Sequence, residues 1–120
     1  METREHVILL STCPTMEVAQ SIATTLVEER LVACVNIFPA LQSVYLWDGT
    51  VQQETEVLLM MKTRRFLYAQ VEQVLQALHP YEVPELIMLP IVAGLPSYLQ
   101  WINEVTLAHS FVDGGLSKPE

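Results

Sequence analysis

A chain of 120 residues fits one domain, and its 51% apolar content is enough to build a core. Charged residues make up only 17%, few for a soluble monomer of this size, which points to apolar surface covered by another subunit. Six basic against fourteen acidic residues give a formal charge of −8, which argues against a phosphate-tracking groove and so against nucleic-acid binding.

No apolar run approaches the ~20 residues of a membrane span. The start, METREHVILL, lacks the basic segment and long apolar stretch of a signal peptide, so the chain is read as cytoplasmic. In that compartment Cys13 and Cys34 are expected as free thiols.

The first apolar run, HVILLSTC, ends at Pro14 and predicts a buried strand over roughly 5 to 12. Ala19, Ile22, Ala23, Leu26 and Val27 then fall on one helical face. Thr15 suits the N-cap and Glu17 the first turn, and the helix is expected to end near Arg30. LVACVNIF, 31 to 38, predicts a second strand, bent or interrupted at Pro39 and resumed over 43 to 47. Asp48-Gly49 signals a hairpin, with 55 to 63 as the partner strand.

A second helix carries Leu67, Val71, Val74, Leu75 and Leu78 on one face. HPYEVPE, 79 to 85, follows as an elbow, because Pro80 and Pro84 hold the residues before them extended. The fourth strand spans 85 to 92; Pro90 cannot donate to a ladder, which places this strand at a sheet edge or a bulge. A third helix begins near Pro96, with Tyr98, Trp101, Ile102 and Val105 on its apolar face. The domain is taken as 1–108, with a tail, 109–120, that has no period and is expected to fray.

The order β-α-β-β-α-β plus a terminal helix predicts an α+β, ferredoxin-like sandwich with strand order 4-1-3-2. Its helices cover one face of the sheet and leave the other bare, which calls for a homo-oligomer. This topology gathers Ser11, Cys13, Trp47, Asp48 and His79 at one end of the domain.

Chemistry at that end centres on Cys13 and His79. A thiolate with a neutral imidazole suits copper or zinc, with further ligands from Glu82, Glu85, water or a neighbouring subunit. The structural alternative is a histidine that caps a helix and a cysteine packed as a small hydrophobe. Met60 and Met61 point to opposite strand faces and read as core, as does Met88. Glu56 and Lys62 share the parity of one face, open either to solvent, to an inter-subunit ion pair or to a ligand. Tyr45 and Trp47 alternate onto one face and suit a subunit contact. No GxSxG, P-loop or GxGxxG occurs. Ser11 and His79 would form a nucleophile and base with no orienting third group, so no enzyme is expected.

ACVNI, SVYLWDG, EVLLMMKT, HPYEVPE, LPI and YLQWI together resemble the CutA divalent-cation-tolerance family over roughly residues 6 to 107. The resemblance implies the ferredoxin-like fold, a tight homotrimer built through extended β-hairpins, an architecture similar to PII signalling proteins, and no established catalysis. It also implies binding of copper or another divalent cation, with His79 matching the histidine implicated in copper binding. Some bacterial members carry a second histidine where Leu78 stands and a cysteine where Ser11 stands, so of those ligands this sequence keeps His79. The expected metal residues are therefore His79, Cys13 and Glu82. The expected inter-subunit cleft holds Tyr45, Trp47, Glu56, Lys62, Tyr81 and Glu85. The alternative is a PII-like sensing module that binds a small metabolite or a partner protein in that cleft.

Overall fold

The computed structural model describes residues 5–108, so the expected tail, 109–120, lies outside the described residues. The elements run β1 (His6–Cys13), α1 (Met16–Glu28), β2 (Cys34–Trp47), β3 (Thr50–Arg64), a single 3-10 turn (Arg65–Leu67), α2 (Tyr68–Leu78), β4 (Ile87–Pro90) and α3 (Pro96–Val105). The sheet order is β2-β3-β1-β4, and every neighbouring pair is antiparallel. This is the expected ferredoxin-like arrangement.

Alternation in β1 and β3 makes the core. Val7, Leu9 and Cys13 of β1 and Val57, Leu59 and Met61 of β3 turn toward Ala19, Ile22 and Leu26 of α1 and Val71 and Leu75 of α2. Thr15 caps α1, its hydroxyl accepting from the Val18 amide at 3.1 Å. Arg30 follows α1 in a left-handed conformation, φ 60°, and its guanidinium donates to the carbonyls of Glu104 and Val105 at the end of α3. That docking satisfies helix-end carbonyls that would otherwise lack partners.

On the other face, Phe38, Ile87 and Leu89 are exposed, and Ile8, Leu10, Leu58 and Met60 between them are half-buried. One copy of the chain leaves this face largely open, as its composition suggested.

Several boundaries differ from expectation. β2 starts at Cys34 rather than 31, because Leu31 and Val32 close the turn after α1 by donating to the Leu26 carbonyl. At Pro39 β2 bends, as expected, and continues without a break. Phe38 pairs with Leu58 and Leu41 with Glu56, so the strand holds one extra residue and bulges, with Ala40 at φ 65°. β4 covers only Ile87–Pro90, and its Pro90 sits against Val7 on the outer edge of the sheet, where no ladder donor is needed.

β3 begins at Thr50 rather than 55, and this changes the shape of the molecule. β1 ends where Cys13 meets Val57, so residues 50–56 and their β2 partners continue with no third strand. At about 3.3 Å per residue this two-stranded arm overhangs the sheet by roughly 20 Å. Asp48 and Gly49 turn its tip, both at positive φ, as a two-residue hairpin that follows the strand twist requires. Trp47 and Asp48 are therefore at the expected end of the domain but far beyond Cys13 and His79, and the five residues do not form one cluster.

Candidate functional site at the elbow

The elbow after α2, the end of β1 and the foot of the arm meet at one place, and His79 joins the first two. It ends α2, with its own amide donating to the Leu75 carbonyl. Its ring is buried. Nε2 lies 2.8 Å from the Thr12 carbonyl oxygen, and Nδ1 lies 3.1 Å from the Tyr81 backbone nitrogen. A carbonyl can only accept and a backbone N–H can only donate. The ring is therefore neutral, protonated at Nε2, with the Nδ1 lone pair filled by Tyr81.

Tyr81 stacks obliquely on that ring, with centroids 4.8 Å apart, and sends its hydroxyl to the arm. There it donates to Glu56 Oε2 at 2.9 Å, while Ser43 donates to Oε1 at 2.6 Å. Glu56 is 6% exposed. Its charge is held by two hydroxyls and by no basic side chain among the described residues. Burial and then the Glu56 carboxylate raise the Tyr81 phenol well above the ordinary tyrosine range. Tyr45, two positions beyond Ser43, shares the arm face of Glu54, and the Glu54 side chain raises its phenol.

Cys13 belongs to the core. It is fully buried, and burial, followed by the Glu56 charge, pushes its thiol up to about 11. At neutral pH it is a protonated, packed thiol rather than a soft ligand. Glu82 turns to the α2 side, where it lines a shallow groove with Glu72, Leu75 and Pro84. Among the described residues no three His, Cys, Asp or Glu side chains converge as a metal ion would need. The soft donor pair expected at Cys13 and His79 does not fit copper in this geometry, because one lone pair is filled and the other donor keeps its proton.

Ser11 and His79 are not a nucleophile and base either. The Ser11 hydroxyl donates to the Glu85 carbonyl at 2.7 Å, and the imidazole N–H is spent on Thr12. Glu85 thus contributes its backbone here.

Lys62 shares a face with Glu56, as its parity required, but six residues further along β3. Its ammonium bonds Asn36, and one chain does not bring it to the carboxylate. Trp47 stands near the arm tip, 68% exposed. Ser43 was missed in the sequence, although the signal was present. Counting back from the two-residue turn pairs Trp47 with Thr50 and Ser43 with Glu54, which puts Ser43 beside Glu56 on one face.

Residues 7–105 match the family model described as "CutA1 divalent ion tolerance protein". The "Divalent-cation tolerance protein CutA" of Thermus thermophilus is 49% identical over 102 residues, 85% of this chain and 98% of that protein. Its solved structure superimposes with a TM-score of 0.83. Mouse "Protein CutA" is 45% identical over 95 residues, 79% of this chain but only 54% of the mouse protein, so the chain spans about half the length of that relative. The crystal structure of CutA1 from Oryza sativa gives a TM-score of 0.85 at 40% identity, covering 88% of this chain and 96% of that one. On sequence and fold together, the chain belongs to the CutA1 divalent ion tolerance family.

Proposed function

We propose that this protein works as a cytoplasmic homotrimer that binds a divalent cation, copper among them, and contributes to metal-ion tolerance through binding rather than catalysis. The observation that carries this reading is the arm. Leu46 and Val51 are 68% and 69% exposed and Val44 is equally bare on one face of the ribbon, while Trp47 is bare on the opposite face, the one that carries Glu54 and Glu56. An isolated two-stranded ribbon is marginal in water. A second copy packed against the arm would cover these side chains, and threefold closure would leave no arm unpaired. Each junction would then place the acidic foot of one arm against a neighbour, where carboxylates from more than one chain can meet a cation. Two free cysteines suit a reducing compartment.

Equilibrium dialysis against Cu²⁺ and Zn²⁺, with Glu54→Gln and Glu56→Gln as comparisons, tests the cation. Uptake by the wild type that falls in the variants is expected; no uptake by the wild type rejects the reading.

A second reading is a PII-like sensing or interaction module that takes a small metabolite or partner protein in the same cleft. The exposed aromatics Tyr45 and Trp47 and the cationic Lys62 favour it. A thermal-shift screen of nucleotides and organic acids separates the two: a shift with one of these and none with copper selects the sensor.

A further inference from the structure

We infer that His79 is a latch rather than a metal ligand: a neutral imidazole that ties the elbow to the end of β1 and thereby sets the Tyr81 hydroxyl on Glu56. Both ring nitrogens are committed to backbone groups, one as donor to the Thr12 carbonyl and one as acceptor from the Tyr81 amide. The two partners lie on opposite sides of the sequence gap, 67 residues away in one case and two in the other. A single side chain therefore fixes both the turn of the elbow and its distance from the central strand.

The chemistry allows no metal on this ring in the folded elbow. A cation needs an unprotonated nitrogen with a free lone pair. At Nε2 it would have to displace the proton and leave the Thr12 carbonyl without its donor. At Nδ1 it would have to displace the Tyr81 amide. Either exchange strands a part-buried backbone group without its partner. It would also release the Tyr81 ring that leans on the imidazole. Metal on His79 and phenol on Glu56 are thus mutually exclusive states of the elbow.

The role is positional, since His79 acts on the cleft only through Tyr81. It stands whether or not the cleft binds a cation, so loss of copper uptake in the dialysis above would leave the latch untouched.

Substitution separates its two halves. His79→Asn puts an amide oxygen near the Nδ1 position and keeps an acceptor for the Tyr81 amide. His79→Gln carries an amide donor toward the Thr12 carbonyl and loses that acceptor. Tyrosine ionisation, followed at each ring's ¹³Cζ by NMR, is the readout. In the wild type Tyr81 should resist ionisation. In His79→Asn and His79→Gln, which each break one half of the latch, and in His79→Ala, which breaks both, its midpoint should fall toward the ordinary tyrosine range, with the other tyrosines unmoved. An unchanged Tyr81 in a folded His79→Gln overturns the latch.

Imidazole ¹⁵N spectra of the wild type should show the Nε2–H tautomer. Stoichiometric Zn²⁺, a diamagnetic probe, should leave both His79 nitrogens in place. A Zn²⁺-induced shift of either nitrogen, with the Tyr81 amide and phenol held, overturns it as well.

Discussion

Strand β3 passes through two environments. Over residues 57–63 every second side chain is sealed: Val57, Leu59, Met61 and Thr63 face the helices, and β1 and β2 flank the strand. Over residues 50–55 it has one neighbour, and both its faces are open to solvent. The hydrogen-bond ladder with β2 continues across the boundary, so backbone pairing is not what differs. What differs is burial: the inner half is folded by its own chain, whereas along the outer half Val51 and its β2 neighbours Val44, Leu46 and Trp47 stay exposed. The site lies at the border, where Glu56 is the first buried residue beyond the end of β1.

The largest test of this contrast is on the arm. Leu46→Glu with Val51→Glu places two charges where the proposed trimer would pack a neighbour. Burying side chains of this size is worth about 1.5–3 kcal/mol each, repeated at every junction. The double variant should be a monomer by light scattering, with the circular dichroism of a folded subunit. A trimer that survives both charges would mean that the arm is not the contact.

The same strand answers differently further in. Leu59→Ala should cost roughly 2–5 kcal/mol in the urea unfolding of the subunit, since Leu59 is fully buried between α1, α2 and the sheet. Val51→Ala in a monomeric background should stay within about 0.5 kcal/mol. Similar losses at the two sites would erase the distinction between inner and outer strand.

Sequence reasoning did well where a single chain decides the outcome. The 3.6-residue period of α1, the Thr15 cap, the Asp48-Gly49 turn and the strand order all follow from local chemistry or from topology rules. It did less well where geometry accumulates. The hairpin strands pair all the way from Thr50 while β1 stops opposite Val57, so the tip stands well away from the end of the sheet it was expected to join. At the site, residue types were legible and their partners were not. A histidine before Pro-Tyr announces an elbow, but nothing in the letters says that its two nitrogens will find Thr12 and Tyr81. Cys13 was read as a ligand because it ends a strand. Parity with Val7 and Leu9, already visible, would have placed it in the core.

Cys13 marks the border itself, and pH reports on it. Its thiol is raised to about 11 in the fold from an ordinary 9.0. The folded state therefore holds this proton more tightly than the unfolded chain. That stabilisation is complete below the ordinary thiol value and is lost as pH climbs from about 9 to about 11, by up to roughly 3 kcal/mol. The urea midpoint should fall between about pH 9 and about pH 11. Part of that fall should vanish in Cys13→Ala, leaving what the raised tyrosines contribute. Equal slopes in both proteins would show Cys13 to be solvated, and the foot of the arm less sealed than its burial implies.

The finest test pairs two substitutions of similar local cost on either side of the border. Thr15→Ala removes the hydroxyl that accepts from the Val18 amide, worth about 1 kcal/mol at an N-cap. Gly49→Ala puts a methyl on a residue at φ 77°, where an L side chain costs about 1 kcal/mol, although the space around it is empty. In a monomeric background the first should lower the thermal midpoint by a few degrees, because α1 packs into the core and its fraying is felt by the whole subunit. The second should leave that midpoint in place, because the tip contacts nothing that the subunit needs. In the assembled protein the order should reverse: Gly49→Ala would weaken association by about tenfold, as the arm must hold its shape to reach a neighbour, and Thr15→Ala would not. If Gly49→Ala lowers the midpoint of the monomer as much as Thr15→Ala does, the arm and the core unfold as one unit, and the division of β3 into two halves fails at its most sensitive point.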